Sequence, residues 1–142
     1  MTEKDTKDLE ILGKTKDTKD LEILGKTIRE PVKQLEVFDA PENVSTVKFW
    51  TDELTSLCPM TGQPDFGELT IEYMPDQKCL ESKSLKLYLW TFREQGHFCE
   101  RLSSDIAQEL FDVLQPMWIK VTNKQSKRGG IETTSVGYIE KD

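Results

Sequence analysis

The spacing of apolar positions changes period twice along the chain. Leu35-Glu36-Val37-Phe38 and Val44 to Trp50 are short apolar-rich runs, split by Asp39-Ala40-Pro41-Glu42-Asn43. Turn-forming residues between two such runs predict two short strands. From Thr55 to Phe66 the sequence TSLCPMTGQPDF holds two prolines and a glycine, which predicts a loop. Glu68 to Tyr73 alternates, with Leu69, Ile71 and Tyr73 on one side, as a half-buried antiparallel strand should. The period then lengthens. Leu85, Leu89 and Phe92 recur at helical spacing within residues 83–93, flanked by Tyr88, and Ser82 is placed to cap that helix. Phe98, Leu102, Ile106, Leu110 and Val113 make the stripe of a second helix, which Pro116 stops. Met117 to Thr122 and Ile131 to Ile139, around KQSKRGG, return to strand character. Strands, two helices and closing strands predict an α+β fold, an antiparallel sheet with two helices packed on one face.

The N-terminal segment follows neither period. Lys4 to Thr15 reads KDTKDLEILGKT, and Lys16 to Thr27 repeats the same twelve letters. A unit this short is no solenoid repeat, and two copies cannot stack a shared core. Its apolar content is sparse among charges, so residues 1–33 are expected to form a duplicated, flexible arm, and 34–142 the catalytic domain.

Composition narrows the classes of function. The 142 residues carry 19 Lys plus Arg against 26 Asp plus Glu, a formal charge of −7. Direct nucleic-acid or membrane-surface binding would need a basic face, so neither is expected. No apolar run approaches the roughly 20 residues of a membrane span. MTEKDTKDLE has no apolar signal region, and the 3 cysteines do not make a disulfide framework. A cytoplasmic protein is the expectation. With 1 histidine, His97, and no CxxC spacing, triads and metal sites needing paired imidazoles are not expected.

Four places carry candidate chemistry. Cys58 sits in a Pro/Gly-containing loop, where a buried structural thiol is unusual, and Asp65 lies seven residues on. A turn between them would set a proton donor beside a nucleophile, although an inert thiol and a turn-capping Asp remain the simpler alternative. Lys83 and Lys86 lie off the apolar stripe near a helix start and could hold phosphate, or form a solvated basic face. Glu100 opens the second helix, where it could accept paired N–H bonds from a purine-like ring or simply favour the helix dipole. Arg128, in Lys127-Arg128-Gly129-Gly130, lies in a tight turn that could present a cation to phosphate. No GxGxxG array is present, so a Rossmann-type dinucleotide site is absent.

SLCPMTGQPDF, LESKSLKLYLWTFR, GHFCE and KRGGI, in that order and spacing, resemble the short, single-module QueF-type NADPH-dependent 7-cyano-7-deazaguanine reductases. The similarity runs from about residue 34 to residue 138. It implies the tunnelling fold, shared with GTP cyclohydrolase I, with subunits of a homo-oligomer closing into a ring-like barrel and active sites at their interfaces. It also implies reduction of the nitrile 7-cyano-7-deazaguanine to 7-aminomethyl-7-deazaguanine with two NADPH, a step toward queuosine in tRNA. By position, Cys58 is the nucleophile that forms a thioimide, and Asp65 the proton donor. Leu80, Glu81, Ser82, Cys99 and Glu100 match substrate-binding positions, while Lys83, Lys86 and Arg128 are candidates for the NADPH phosphates. The family commonly reads Phe-His-Glu where this chain has Phe98-Cys99-Glu100, so a thiol replaces an expected imidazole. A non-catalytic purine- or pterin-binding module and a GTP-cyclohydrolase-like hydrolase are the competing classes.

Overall fold

A computed structural model describes residues 30–142; the repeated arm of residues 4–27 lies outside the described residues. In chain order the elements are β1 (Val37–Asp39), β2 (Val47–Leu57), β3 (Pro64–Met74), β4 (Lys78–Leu80) and α1 (Ser82–Trp90), which runs into a 3₁₀ turn, Thr91–Glu94. They continue with α2 (Cys99–Leu114), β5 (Trp118–Arg128) and β6 (Ile131–Glu140). Strands β2, β3, β5 and β6 make a four-stranded antiparallel sheet in that spatial order, and β1 pairs with β4 beside it.

The expected alternation of β3 holds, because Leu69, Ile71 and Tyr73 all face the core. Ile119 and Val121 of β5 join them beneath Leu85, Tyr88 and Phe92 from the first helical segment and Leu102, Ile106 and Leu110 from α2. Both helices therefore cover one face of the sheet, and each large apolar side chain buried there contributes about 1.5–3 kcal/mol. The α2–β6 contact is close: a Cβ on Gly137 would lie 2.5 Å from the Ser103 carbonyl oxygen. Helix α2 ends as its sequence directs. Gln115 takes a left-handed conformation, its N–H bonds the Phe111 carbonyl, and Pro116 follows.

Several expectations need correction. The loop expected over residues 55–66 shrinks to residues 58–63, because β2 runs on to Leu57 and Thr55, Ser56 and Leu57 pair with Phe66, Asp65 and Pro64. Pro64 does not prevent this, since a proline at the first position of a strand leaves no ladder donor missing. The expected strand Val44 to Trp50 instead begins at Val47. Ser82 is not the cap of α1; Glu81 is, and its carboxylate accepts from the N–H groups of Lys83 and Ser84. Phe98 and Val113 face solvent, at 57% and 38% exposure, because Phe98 precedes the first helical turn and the buried stripe runs through Cys99, Ser103, Ala107 and Leu114 instead. The expected strand Leu35 to Phe38 appears as β1, shifted to Val37–Asp39, whereas its partner β4 is too short to carry a readable period.

Two bulges decide which side chains reach the far end of the sheet. Thr51 pairs with Leu69 and Leu54 with Gly67, so β2 carries one extra residue and turns Leu54 and Ser56 inward. Gln125 pairs with Thr133 and Arg128 with Ile131, which places a second extra residue in β5. Among the described residues, no helix is long and apolar enough to cross a membrane.

Candidate active site

The end of the sheet that holds the 58–63 loop is also where β5 ends, β6 begins and α2 starts. Within the loop the Cys58 N–H donates to the Gln63 carbonyl and the Gly62 N–H to the Cys58 carbonyl, each at 2.8 Å. Gly62 has φ +73°, a value few side chains tolerate, so the glycine allows the chain to close this turn. The turn wraps the sulfur with donors. The Thr61 hydroxyl, then the N–H groups of Met60 and Thr61, favour the thiolate; burial opposes them, and the Arg128 guanidinium adds a smaller contribution. Together they bring the Cys58 pKa down to about 7, so a large share of the thiol is anionic near neutral pH.

A short parallel bridge brings the start of α2 to this thiol. Leu57 N–H donates to Gln95 at 2.9 Å, and His97 N–H donates to Leu57 at 3.1 Å. Gly96 makes the approach possible, since a Cβ there would lie 3.3 Å from the Pro59 Cα. The His97 ring is 2.9 Å from the Gln95 amide oxygen and edge-on to Phe92, at the rim of the site.

Cys58, Asp65, Cys99, Glu100, Gln125 and Arg128 line one cavity of about 280 Å³. Asp65 is buried and forms an ion pair with Arg128. Glu100 is exposed in the first turn of α2, where its charge suits the helix dipole. Cys99 borders the cavity, but its thiol bonds into the sheet, 3.4 Å from Ser135 Oγ and 3.6 Å from the Asn123 carbonyl oxygen. Ser135 Oγ also donates to the Cys99 carbonyl at 2.9 Å and lies 2.8 Å from Ser103 Oγ. A hydroxyl–thiol network thus fixes the helix turn that carries Glu100.

The other sequence-derived candidates lie elsewhere. Leu80 is a core residue whose N–H donates to the Tyr73 hydroxyl at 2.8 Å. Both Glu81 carboxylate oxygens are occupied at 2.7 Å by the N–H groups at the start of α1. Ser82 and Lys86 face a second, larger cavity of about 540 Å³ between α1 and β2, lined also by Trp50, Leu89, Trp90 and Arg93. The Arg93 guanidinium lies 5.6 Å from the centre of the Trp90 ring. Lys83 is half-buried at the start of α1 and lines neither cavity.

The chain therefore gathers Cys58, Asp65, Cys99, Glu100 and Arg128, and keeps residues 80–83 and 86 apart from them. Sequence reasoning missed Thr61, whose hydroxyl three places after the thiol in a glycine-containing turn was the available signal. It also missed Arg93, although the string LESKSLKLYLWTFR ends on it, and Trp50, which no local motif marks.

Comparison with known proteins shows the family to which the chain belongs. Residues 64–141 match the family described as QueF-like protein. An NADPH-dependent 7-cyano-7-deazaguanine reductase of Nitrosomonas europaea is 45% identical over 114 residues, covering 79% of this chain and 82% of that one. The enzyme of the same name from Streptococcus mutans is 42% identical over 133 residues, covering 92% of this chain and 78% of its own. Among solved structures, the apo form of the archaeosine synthase QueF-Like superposes with a TM-score of 0.64 at 27% identity, covering 68% of this chain and 95% of that chain.

Proposed function

Because the chain belongs to the QueF family, we propose that it is an NADPH-dependent reductase that converts 7-cyano-7-deazaguanine to 7-aminomethyl-7-deazaguanine. The observation that carries this reading is Cys58, held by donors to its sulfur and lodged in one cavity with Asp65 and Glu100. A nitrile carbon is a weak electrophile, and attack by sulfur leaves charge on nitrogen. A thiolate and an adjacent acid answer both needs. The Cys58 Sγ–carbon bond forms, one C–N π bond opens onto nitrogen, and Asp65 gives that nitrogen its proton, leaving a thioimide. Covalent attachment keeps the intermediate from diffusing away before hydride arrives.

Glu100 stands at the cavity mouth as an acceptor for the paired N–H groups of a guanine-type edge. Exposed Phe98 beside it offers a face on which a flat ring can stack. NADPH, when bound, supplies hydride, of which nitrile-to-amine reduction takes two. The larger cavity suits such a group: Trp50 and Trp90 offer aromatic surface, and Lys86, Arg93 and Ser82 offer cations and a hydroxyl for phosphates. Lys83 at the start of α1 is a further cation for that role, and Arg128 can join only after leaving Asp65.

The separation of residues 80–83 and 86 from the Cys58 cavity supports assembly of the site from two copies, with Leu80, Glu81 and Ser82 supplied by a neighbour. The sheet suits ring closure. Among the described residues, β6 has no partner on its outer edge and β2 has only the Leu57–Gly96 bridge at its end, and the face away from the helices exposes Phe66, Val136 and Tyr138.

The decisive experiment incubates the full chain with 7-cyano-7-deazaguanine and no NADPH. Its mass should rise by that of the ligand, Cys58→Ala should show no gain, and added NADPH should discharge the adduct as the amine. An unaltered mass overturns the reading. An adduct that forms yet never consumes NADPH assigns the chain to nitrile capture without reduction.

A further inference from the structure

The inward face of the sheet changes chemistry along its length. Away from the 58–63 loop it carries Leu69, Ile71, Tyr73, Ile119 and Val121. Toward the loop the same alternation brings in Asp65 on β3, Asn123 and Gln125 on β5, and Thr133 and Ser135 on β6. Of these, Asp65, Gln125 and Thr133 line the Cys58 cavity. The register orders them. Gln125 pairs with Gly67 on one side and Thr133 on the other, and Asp65 lies two residues before Gly67 on the same face. Gln125 is therefore the diagonal neighbour of Asp65, and Thr133 stands one strand, about 4.8 Å, farther away. Gly67 has no side chain to come between the carboxamide and Asp65.

Most other donors around the cavity are engaged. Arg128 is paired with Asp65, the Cys99 thiol bonds the Asn123 carbonyl oxygen, and His97 Nε2 lies 2.9 Å from Gln95 Oε1. A neutral imidazole that donates from Nε2 keeps only an acceptor at Nδ1, and the Glu100 carboxylate accepts only. Gln125 differs. Its half-buried carboxamide holds two N–H donors, and among the described residues no group bonds it. Asn123, two residues back on the same face, is buried with Oδ1 unbonded among the described residues. That oxygen reaches to 3.0 Å from where a Cβ on Gly67 would stand, directly across from Gln125. One amide hydrogen can be held there while the other points into the cavity.

We propose that Gln125 is a further catalytic residue, whose carboxamide donates a hydrogen bond to the nitrile nitrogen as Cys58 adds to the carbon and so holds that nitrogen beside Asp65. The inference rests on the reductase reading for the identity of the nitrile. In the addition the Sγ–carbon bond forms, one C–N π pair moves onto nitrogen, and nitrogen takes a proton from Asp65. The amide keeps both of its hydrogens, being far too weak an acid to give one. It acts through the charge that develops on nitrogen. A fixed donor aimed at that atom is worth more in the transition state than against the uncharged nitrile, so it raises the rate of addition rather than the affinity for the ring.

Two reagents that use the same sulfur differently test this. Iodoacetamide alkylates Cys58 with loss of iodide and puts no charge on a bound nitrogen, whereas addition to 7-cyano-7-deazaguanine without NADPH does. Gln125→Met keeps the length of the side chain and removes both donors. It should slow the mass gain on the nitrile at saturating ligand about 10²-fold. Iodoacetamide alkylation, with its midpoint at about pH 7, should proceed as in the parent. Affinity for 7-deazaguanine, the same ring without the nitrile, should be unchanged. Thr133→Val, one strand farther from Asp65, should add the nitrile within a fewfold of the parent rate. Unslowed addition in Gln125→Met overturns the proposal, as does equal slowing in Thr133→Val. Equal slowing of both reagents in Gln125→Met also overturns it, because the effect then lies on the sulfur or the fold. Weaker 7-deazaguanine binding with an unchanged rate at saturation overturns it too, and assigns the amide to the ring. If the parent forms no adduct, the reductase reading and this inference fall together; an adduct that forms as fast in Gln125→Met as in the parent removes only the inference.

Discussion

The two cavities share one sheet but draw on different helices, and they differ in kind. The smaller one draws on the 58–63 loop, the start of β3, the start of α2 and the bulged end of β5, and its donors converge on one sulfur beside the Arg128–Asp65 ion pair. The larger one lies between α1 and β2, is walled largely by aromatic and aliphatic side chains, and has no cysteine among its lining residues. Its neighbouring motif, Leu80-Glu81-Ser82, is occupied with core packing and helix capping. Activation thus comes where several elements converge on a single atom, whereas a binding surface can be left open along one helix. The difference also explains why the most distinctive string of the sequence, ESKSLKLYL, does not line the cavity that holds the thiol.

The largest effect expected from breaking this contrast is at Asp65. In Asp65→Asn the amide cannot supply the proton, so kcat should fall about 10²- to 10⁴-fold while Cys58 still reacts with iodoacetamide. Steady-state kinetics beside an alkylation assay separates the two. A kcat within a fewfold of the parent would remove Asp65 from the chemistry and leave the small cavity as little more than a thiol pocket.

A smaller and different effect belongs to the larger cavity. Lys86→Ala removes an exposed cation from its rim without touching the Cys58 turn. Loss of one charge-assisted contact to phosphate should raise the KM for NADPH about tenfold or somewhat more, with little change in kcat. Mass gain on the nitrile without NADPH should proceed as in the parent. If instead adduct formation slows, the two cavities are not separate in function and the contrast drawn above is wrong.

The sequence made parts of this legible for physical reasons. Alternation in β3 and helical spacing in α2 are enforced over many residues by burial on one face, so Leu69, Ile71 and Tyr73, and Leu102, Ile106 and Leu110, could be read directly. Cys58 and Asp65 could be paired as candidates because a short turn constrains where both must lie. What stayed hidden depends on pairing between distant strands. Nothing within WIKVTNKQSKR marks the extra residue that turns Arg128 toward Asp65, because a bulge is defined against its partner strand. The strand character of Thr55 to Leu57 was masked by nearby prolines and glycine, and became visible only in its ladder with β3. Glu81 looked like a ligand contact in the motif, and only the geometry shows both oxygens bonded to the backbone that follows it.

That last residue offers the smallest and sharpest test, since its two roles predict different substitution patterns. As the cap of α1, Glu81 satisfies two N–H groups that otherwise lack helical partners, and its charge suits the helix N-terminus. Glu81→Ala should therefore lower stability by about 0.5–2 kcal/mol, read as a drop in the urea midpoint with an unchanged slope. Glu81→Gln keeps one acceptor oxygen at the end of the same stem, so it should lose less, as the remaining bond to Lys83 or Ser84 persists. Turnover gives the second axis. If Glu81 serves only its own helix, Glu81→Gln retains activity in proportion to its folded fraction, and loss in Glu81→Ala is recovered under conditions where that protein is fully folded. If Glu81 also contacts substrate across a subunit interface, Glu81→Gln raises the KM for the nitrile even when folding is complete, because a neutral amide presents one acceptor where a carboxylate presents two. A KM unmoved in fully folded Glu81→Gln confines the residue to capping and takes its side chain out of the interface site.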